Sequence, residues 1–213
     1  MKINELLETT IHKPVIKLIY NTPIYVAIKA IRKCWESQDK SDSYEGILGP
    51  NDTKLIKRIL SAKHESTLEH IVYTFDINGI TRACLQEVVR HRIASYSVAS
   101  TRYVLKKMKK KDVQSIFRKT GNESIDHRIE KTLLKLNYYD NVPNDILKYI
   151  LPEATLTELV MTINARSLRN FLLLRLDKAA LPEIRILAHY MYKNLPEEHL
   201  ILFEDIKERF YSE

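Results

Sequence analysis

The stretch Ile71-Val72-Tyr73-Thr74-Phe75-Asp76-Ile77, followed by Asn78-Gly79 and then by Thr81 to His91, decides the fold. In its first part Ile71, Tyr73, Phe75 and Ile77 alternate with Val72, Thr74 and Asp76, the period of a strand with one buried face. Asn78-Gly79 reads as a turn that ends the strand. From Thr81 the period lengthens, with Leu85, Val88 and Val89 on one side of a helix expected to finish near His91. Strand, turn and helix in direct succession place both structure types in one packed unit, an α+β domain.

Toward the N-terminus, Val15 to Tyr20 is a β-branched run that reads as another strand. Pro23 suits a first helical position and opens a helix to about Trp35. Gln38 to Asp52 is a polar loop, after which Asn51 or Asp52 is expected to cap a helix built on Leu55, Ile56, Ile59 and Leu60. Toward the C-terminus, Ile125, Ile129, Leu133 and Leu136 make an amphipathic helix, Asn144 to Ile150 a short one, and Leu156 to Ile163 a β-rich run. Asn164 to Arg175 is helical, with Arg166 and Asn170 on a different face from Leu168, Phe171 and Leu172. Two more helices, about 183–193 and 197–210, close the chain. The expectation is one helix-rich α+β domain, 1–213, with a small antiparallel or mixed sheet.

Composition narrows the function. Apolar residues make up 45% and charged residues 29% of the 213, ordinary for a packed domain. Only 4 glycines occur, and the nearest pair is Gly46 and Gly49, so neither the Rossmann nor the P-loop glycine motif is present. Any bound nucleotide must be held by side chains and helix ends. Met1 to Lys13 lacks the apolar centre of a signal peptide, and no run of 18 apolar residues offers a membrane span. Cys34 and Cys84 form no metal or disulfide spacing and suit a reducing cytoplasm.

The positive charge is concentrated. From Arg90 to Thr120 there are ten cations and one acid, so this segment alone exceeds the chain's net +7. It opens with Arg90-His91-Arg92-Ile93-Ala94-Ser95-Tyr96-Ser97-Val98-Ala99-Ser100-Thr101-Arg102-Tyr103: cations at a helix end, a hydroxyl-rich loop, and another arginine. Planar guanidinium forks match phosphate and pyrimidine oxygens bidentately, so the combination makes an anion cradle without glycine.

This segment resembles the R-H-R-x-x-S-x-N-x-x-S-x-R signature of flavin-dependent thymidylate synthases, with Ser97 at the asparagine position. His64-Glu65-Ser66-Thr67-Leu68-Glu69-His70 and Asn164-Ala165-Arg166-Ser167-Leu168, with Asn170 and Arg175 beyond, follow in the family's order. The resemblance spans roughly Ile24 to Phe210. It implies a homotetramer with active sites shared between subunits and FAD in the interfaces. The implied reaction is reductive methylation of dUMP to dTMP, with methylenetetrahydrofolate as carbon donor and NADPH as reductant, and without a cysteine nucleophile.

Carried over residue by residue, the resemblance puts Ser66, Arg90, His91, Arg92, Asn164, Arg166 and Asn170 on FAD, and His64 near flavin and folate. The dUMP site would take Glu87 and Arg90 from one subunit, Val98, Ala99, Ser100, Thr101 and Arg102 from another, then Lys148 and Arg175. Arg175 matches the arginine that activates the uracil ring by favouring ionisation at N3. Glu87 stands where glutamine is frequent, Val98 replaces a glutamate, and Lys148 replaces an arginine.

Other chemistries have weaker support. His64 and His70 are six residues apart, whereas helical zinc motifs need four, so no metal site is expected. Cys84 falls on the apolar side of its helix, where a thiolate is disfavoured. Lys106 to Lys111 reads as a solvated loop that attracts anions at long range. The competing class is a basic nucleic-acid-binding module, favoured by the pI near 9.2 and by Tyr96 and Tyr103 among the cations. No helix-turn-helix, zinc-finger or RNA-recognition signature accompanies them, so neither nucleic acid nor a membrane is expected as partner.

Overall fold

A computed structural model describes residues 3–10, 12–44 and 46–212. The expected domain 1–213 therefore includes Met1, Lys2, Ile11, Glu45 and Glu213, which lie outside the described residues. The first half runs α1 (Ile3–Thr9), β1 (Val15–Asn21), α2 (Tyr25–Cys34), α3 (Pro50–Ser61), β2 (Val72–Thr81), α4 (Arg82–Val88) and β3 (Ala94–Val98). The second runs α5 (Thr101–Met108), α6 (Glu123–Lys135), α7 (Asn144–Leu147), β4 (Leu156–Asn164), α8 (Ala165–Arg175), α9 (Pro182–Lys193) and α10 (Glu204–Tyr211). Short 3-10 segments at Glu65–His70 and Glu197–Phe203 join α3 to β2 and α9 to α10.

The strands form one sheet in the order β1-β2-β4-β3, every pairing antiparallel. As the alternation requires, Ile71, Tyr73, Phe75 and Ile77 are fully buried. They pack with Met161 and Ile163 of β4 against Leu168, Phe171 and Leu172 of α8 and Leu187, Ala188 and Met191 of α9. A separate small core, with Leu105, Met108, Phe117, Leu133, Leu136 and Leu147, ties α5, α6 and α7 together. Among the described residues no helix is long and apolar enough to cross a membrane.

Several local expectations need correction. Asn78-Gly79 does not end β2; the strand runs on to Thr81, and its pairing with β4 shifts register between Asn78 and Ile80. Gly79 has φ +78°, so the glycine serves a bulge rather than a turn. Pro23 lies outside α2, whose first helical residue is Tyr25, and its carbonyl accepts from Val26 N–H. Neither Asn51 nor Asp52 caps α3: Gly49 is the N-cap and Pro50 opens the helix. The free N–H groups of Asn51 and Asp52 donate to the side chain of Asp42, nine and ten residues back, at 2.8 and 3.0 Å. Asp52 is buried instead, bound by Arg32 at 2.6 Å and by the hydroxyls of Ser41 and Ser43.

The hydroxyl-rich run after the arginines is no loop. Ser95 and Ser97 sit in the edge strand β3, paired with Thr162 and Val160. Lys106 and Lys107 likewise belong to the last turn of α5, where cations oppose the negative helix end. The α4 helix begins with Thr81 as N-cap, its hydroxyl accepting from Cys84 N–H at 3.0 Å. It ends at Val88, shorter than expected, and the chain turns there into the arginine segment.

Candidate active site

A cavity of about 970 Å³ opens where three parts of the chain meet. The 3-10 segment supplies Glu65 and Glu69, the turn after α4 supplies Arg90 to Ile93, and α8 supplies Arg166, Arg169, Asn170, Leu173, Leu174 and Arg175. The antiparallel sheet explains the meeting. Val72 at the start of β2 pairs with Asn164 at the end of β4, so the 3-10 segment and α8 leave the sheet at the same end of its strands. Ala94, the first residue of β3, pairs with Ile163, which brings the arginine turn to that end as well.

Asn164 caps α8 through Oδ1, which accepts from Ser167 N–H at 2.8 Å. The buried stripe of α8 then faces the sheet, leaving Arg166 and Asn170 on the cavity side. The arginine turn is held by Tyr96 of β3. Its hydroxyl donates to the main-chain carbonyl of His91 at 2.6 Å and also lies 3.1 Å from that of Val88. Burial raises the Tyr96 pKa, keeping that hydroxyl protonated as a donor.

The arginines are individually aimed. Arg166 Nη1 donates to Glu69 Oε1 at 2.6 Å across the cavity mouth. Arg169, 5% exposed, binds Glu65 at 3.1 Å, both oxygens of Asp205 at 2.7 and 2.9 Å, and the carbonyl of Leu202. Arg175 donates from Nε to His91 Nε2 at 3.0 Å, from Nη1 to Glu87 Oε2 at 2.7 Å, and from Nη2 to the Glu87 carbonyl at 3.0 Å. That geometry needs an unprotonated acceptor at Nε2. Burial first, and then the Arg175 charge, push the His91 pKa down to about 4. The ring also packs edge-on against Phe171 at 4.7 Å between centroids. Arg92, exposed at the rim, makes no ion pair with any described residue.

Of the residues singled out from the sequence, Arg90, His91, Arg92, Arg166, Asn170 and Arg175 line this cavity, and Glu87 touches Arg175 directly. His64 and Ser66 are exposed on the 3-10 segment beside it, and Asn164 serves as the cap. Val98 to Arg102 lies at the far end of β3 and does not reach it. Arg102 borders a second cleft of about 380 Å³ beside Asn144 and Asp145, with its Nε 3.4 Å from the Asp145 carboxylate. Ala99 and Thr101 border a third, of about 320 Å³. Lys148 is half-buried, its ammonium 5.5 Å from the Tyr149 ring. Within one chain the two sets of candidate groups stay apart.

Glu65, Glu69 and Arg169 are the charged cavity residues the sequence reading passed over. The two glutamates lie inside the quoted His64–His70 motif. Arg169 carries no signal of its own, because an arginine on a helix normally reads as solvated. The basic segment is also less continuous than its charge implies. Lys109 pairs with the exposed Asp140 at 3.6 Å, and Arg118 with Glu183 at 3.2 Å, and both cations are themselves largely out of solvent. Cys84 is buried and burial pushes its thiol pKa far up, so no nucleophilic thiolate forms there. Cys34 is exposed and lines none of the three cavities.

Comparison with known proteins finds relatives along most of the chain. The family described as thymidylate synthase complementing protein matches residues 17–199. A flavin-dependent thymidylate synthase of Campylobacter jejuni is 46% identical over 201 residues, covering 89% of this chain and 95% of that protein. One from Wolinella succinogenes is 45% identical over 200 residues, covering 88% and 96%. The crystal structure of thymidylate synthase X from Helicobacter pylori, with FAD and dUMP, superposes with a TM-score of 0.83. That match has 38% sequence identity and covers 91% of this chain and 98% of the other.

Proposed function

The chain belongs to the flavin-dependent thymidylate synthases, and from that premise we propose that it converts dUMP to dTMP with FAD as cofactor. The observation that carries this reading is the convergence of Arg90, His91, Arg92, Arg166, Asn170 and Arg175, from distant parts of the sequence, on one cavity. A volume of about 970 Å³ lies at the upper end of the range for cofactor and ligand pockets. Its chemistry fits a flavin dinucleotide. Guanidinium groups suit a diphosphate, the Asn170 amide offers both donor and acceptor, and Ile93, Leu173 and Leu174 form an apolar wall for a planar ring. FAD, when bound, supplies the hydride that completes the new methyl group.

Methylenetetrahydrofolate is the proposed carbon donor and leaves as tetrahydrofolate, while NADPH is the proposed reductant. The chain's residues 1–213 act as one domain of a homotetramer in this reading. Ser66, Arg90, His91, Arg92, Asn164, Arg166 and Asn170 hold the cofactor, with His64 near flavin and folate. Glu87 and Arg90 of one copy hold dUMP together with Val98, Ala99, Ser100, Thr101 and Arg102 of another, and Lys148 and Arg175 complete the site. The separation of the two residue sets within one chain supports a shared site.

Arg175 is the proposed catalytic residue. Its guanidinium, largely removed from water, stabilises negative charge as the uracil ring ionises at N3. The buried Cys84 thiol and the remote Cys34 leave the ring without a thiol nucleophile. The decisive test is spectroscopic and catalytic together. The purified protein should bind FAD, show its visible absorption, bleach with NADPH, and form dTMP from dUMP and methylenetetrahydrofolate. A folded protein that neither retains added FAD nor consumes dUMP would refute the assignment.

A further inference from the structure

Arg175 enters the cavity already held. Nε, Nη1 and Nη2 each spend one N–H, on His91 Nε2, Glu87 Oε2 and the Glu87 carbonyl, at 3.0, 2.7 and 3.0 Å. A guanidinium carries five N–H groups, so one remains on each terminal nitrogen for a ligand. The second Glu87 oxygen lies 3.6 Å from Arg90 Nη1, but the Arg90 side chain is 72% exposed while that of Arg175 is 16% exposed. Water screens the Arg90 contact, so the carboxylate charge acts chiefly on Arg175. Of the other cavity cations, Arg166 is compensated by Glu69 and Arg169 by Glu65 and Asp205, while Arg92 at the exposed rim pairs with no described residue.

Building on the proposed uracil-nucleotide reading of this cavity, we propose that Glu87 is a positioning residue for Arg175 and also sets how much positive charge Arg175 presents to the bound ring. The carboxylate and the adjoining carbonyl fix the guanidinium from one side while His91 fixes it from the other. The price of that anchor is charge: a carboxylate in contact cancels most of the guanidinium field a few ångströms away. The ring is therefore gripped by two directed N–H groups, and its ionisation at N3 is assisted less than by an unpaired arginine. The groups facing this pair are Arg90 and His91 from the turn after α4 and Cys84 of α4, three residues before Glu87, of which His91 and Cys84 are neutral.

Two substitutions separate the anchor from the charge. Glu87→Gln keeps an oxygen that accepts from Nη1 and removes the charge; Glu87→Ala removes both but leaves the main-chain carbonyl and His91. The probe is 5-fluoro-dUMP bound to the FAD-loaded protein, whose ¹⁹F resonance moves when N3 loses its proton. In Glu87→Gln the bound ring should ionise about one pH unit lower than in the wild type, with unchanged FAD retention. In Glu87→Ala the ionisation should also move down, while dUMP affinity falls about tenfold below that of Glu87→Gln as the guanidinium loosens. Titrations that coincide with the wild type in both variants would overturn the charge-setting role. Equal dUMP affinity in the two variants would overturn the positioning role. A wild-type protein that holds FAD but binds no uracil nucleotide would instead overturn the functional reading, and this inference with it.

Discussion

Arg175 shows how little of a residue's role lies in its own side chain. It is placed by an acceptor that exists only because His91 stays unprotonated, and by a carboxylate and a carbonyl from the same residue, Glu87. Lysine cannot reproduce this, since a point ammonium has no fork to satisfy three separate acceptors and still present donors to a ligand. Arg175→Lys and Arg175→Ala are both expected to lower kcat by about 10²–10³-fold, the usual loss when one preorganised donor to developing charge is removed. FAD retention, measured by visible absorption after gel filtration, should survive, because Arg90, Arg92 and Arg166 remain. Undiminished turnover in Arg175→Ala would remove it from the chemistry. The proposed role of Arg175 was legible only through resemblance. Its anchoring by Glu87 was not, since the sequence spacing from α4 to α8 reveals no pairing.

At the scale of elements, the strand β2 carries a device that sequence periodicity misreads. Asn-Gly is the commonest signal of a tight turn, yet here Gly79 supplies a positive φ inside a continuous strand. The bulge shifts the pairing with β4 between Asn78 and Ile80, so that Ile80 and Thr81 are both buried where α4 starts. Gly79→Ala forces a side chain into the left-handed region and places its Cβ 3.3 Å from His12 Nε2. A loss of about 1–2 kcal/mol in urea unfolding is expected; a variant as stable as the wild type would mean the bulge relaxes freely. The alternation of Ile71 to Ile77 and the stripe of α8 were readable because burial on one face leaves a period in the sequence. The Asp42 cap on α3 was not, because its carboxylate reaches the helix from a separate loop. Nor was β3, whose Ser95 and Ser97 are edge-strand residues with polar outer faces.

For the whole molecule, acid stability and the proposed shared site are each tested through where groups are placed. His91 and His189 are held down to about 4, chiefly by burial, and burial lowers the His199 pKa too, with Tyr73 OH 2.8 Å from its Nδ1. An unfolded chain takes up these protons near pH 6.5, whereas the folded chain resists until about 4. Stability should therefore fall as pH drops through 6.5 toward 4, by at most about 1.4 kcal/mol per pH unit for each histidine. Urea midpoints at pH 7, 6 and 5 test this, and a flat profile would contradict it. Assembly has a sharper test. Arg175 and Arg102 border different cavities of one chain, so the proposed dUMP site needs one from each of two copies. The Arg175→Ala and Arg102→Ala proteins should each lack an intact site and turn over poorly. When equal amounts are unfolded together and refolded, or co-expressed, a site regains both arginines if its first copy carries Arg102→Ala and its second carries Arg175→Ala. With random mixing that holds for about a quarter of sites, so activity should return to about a quarter of wild type. Mixtures no more active than the separate variants would place both arginines in a site built by a single chain.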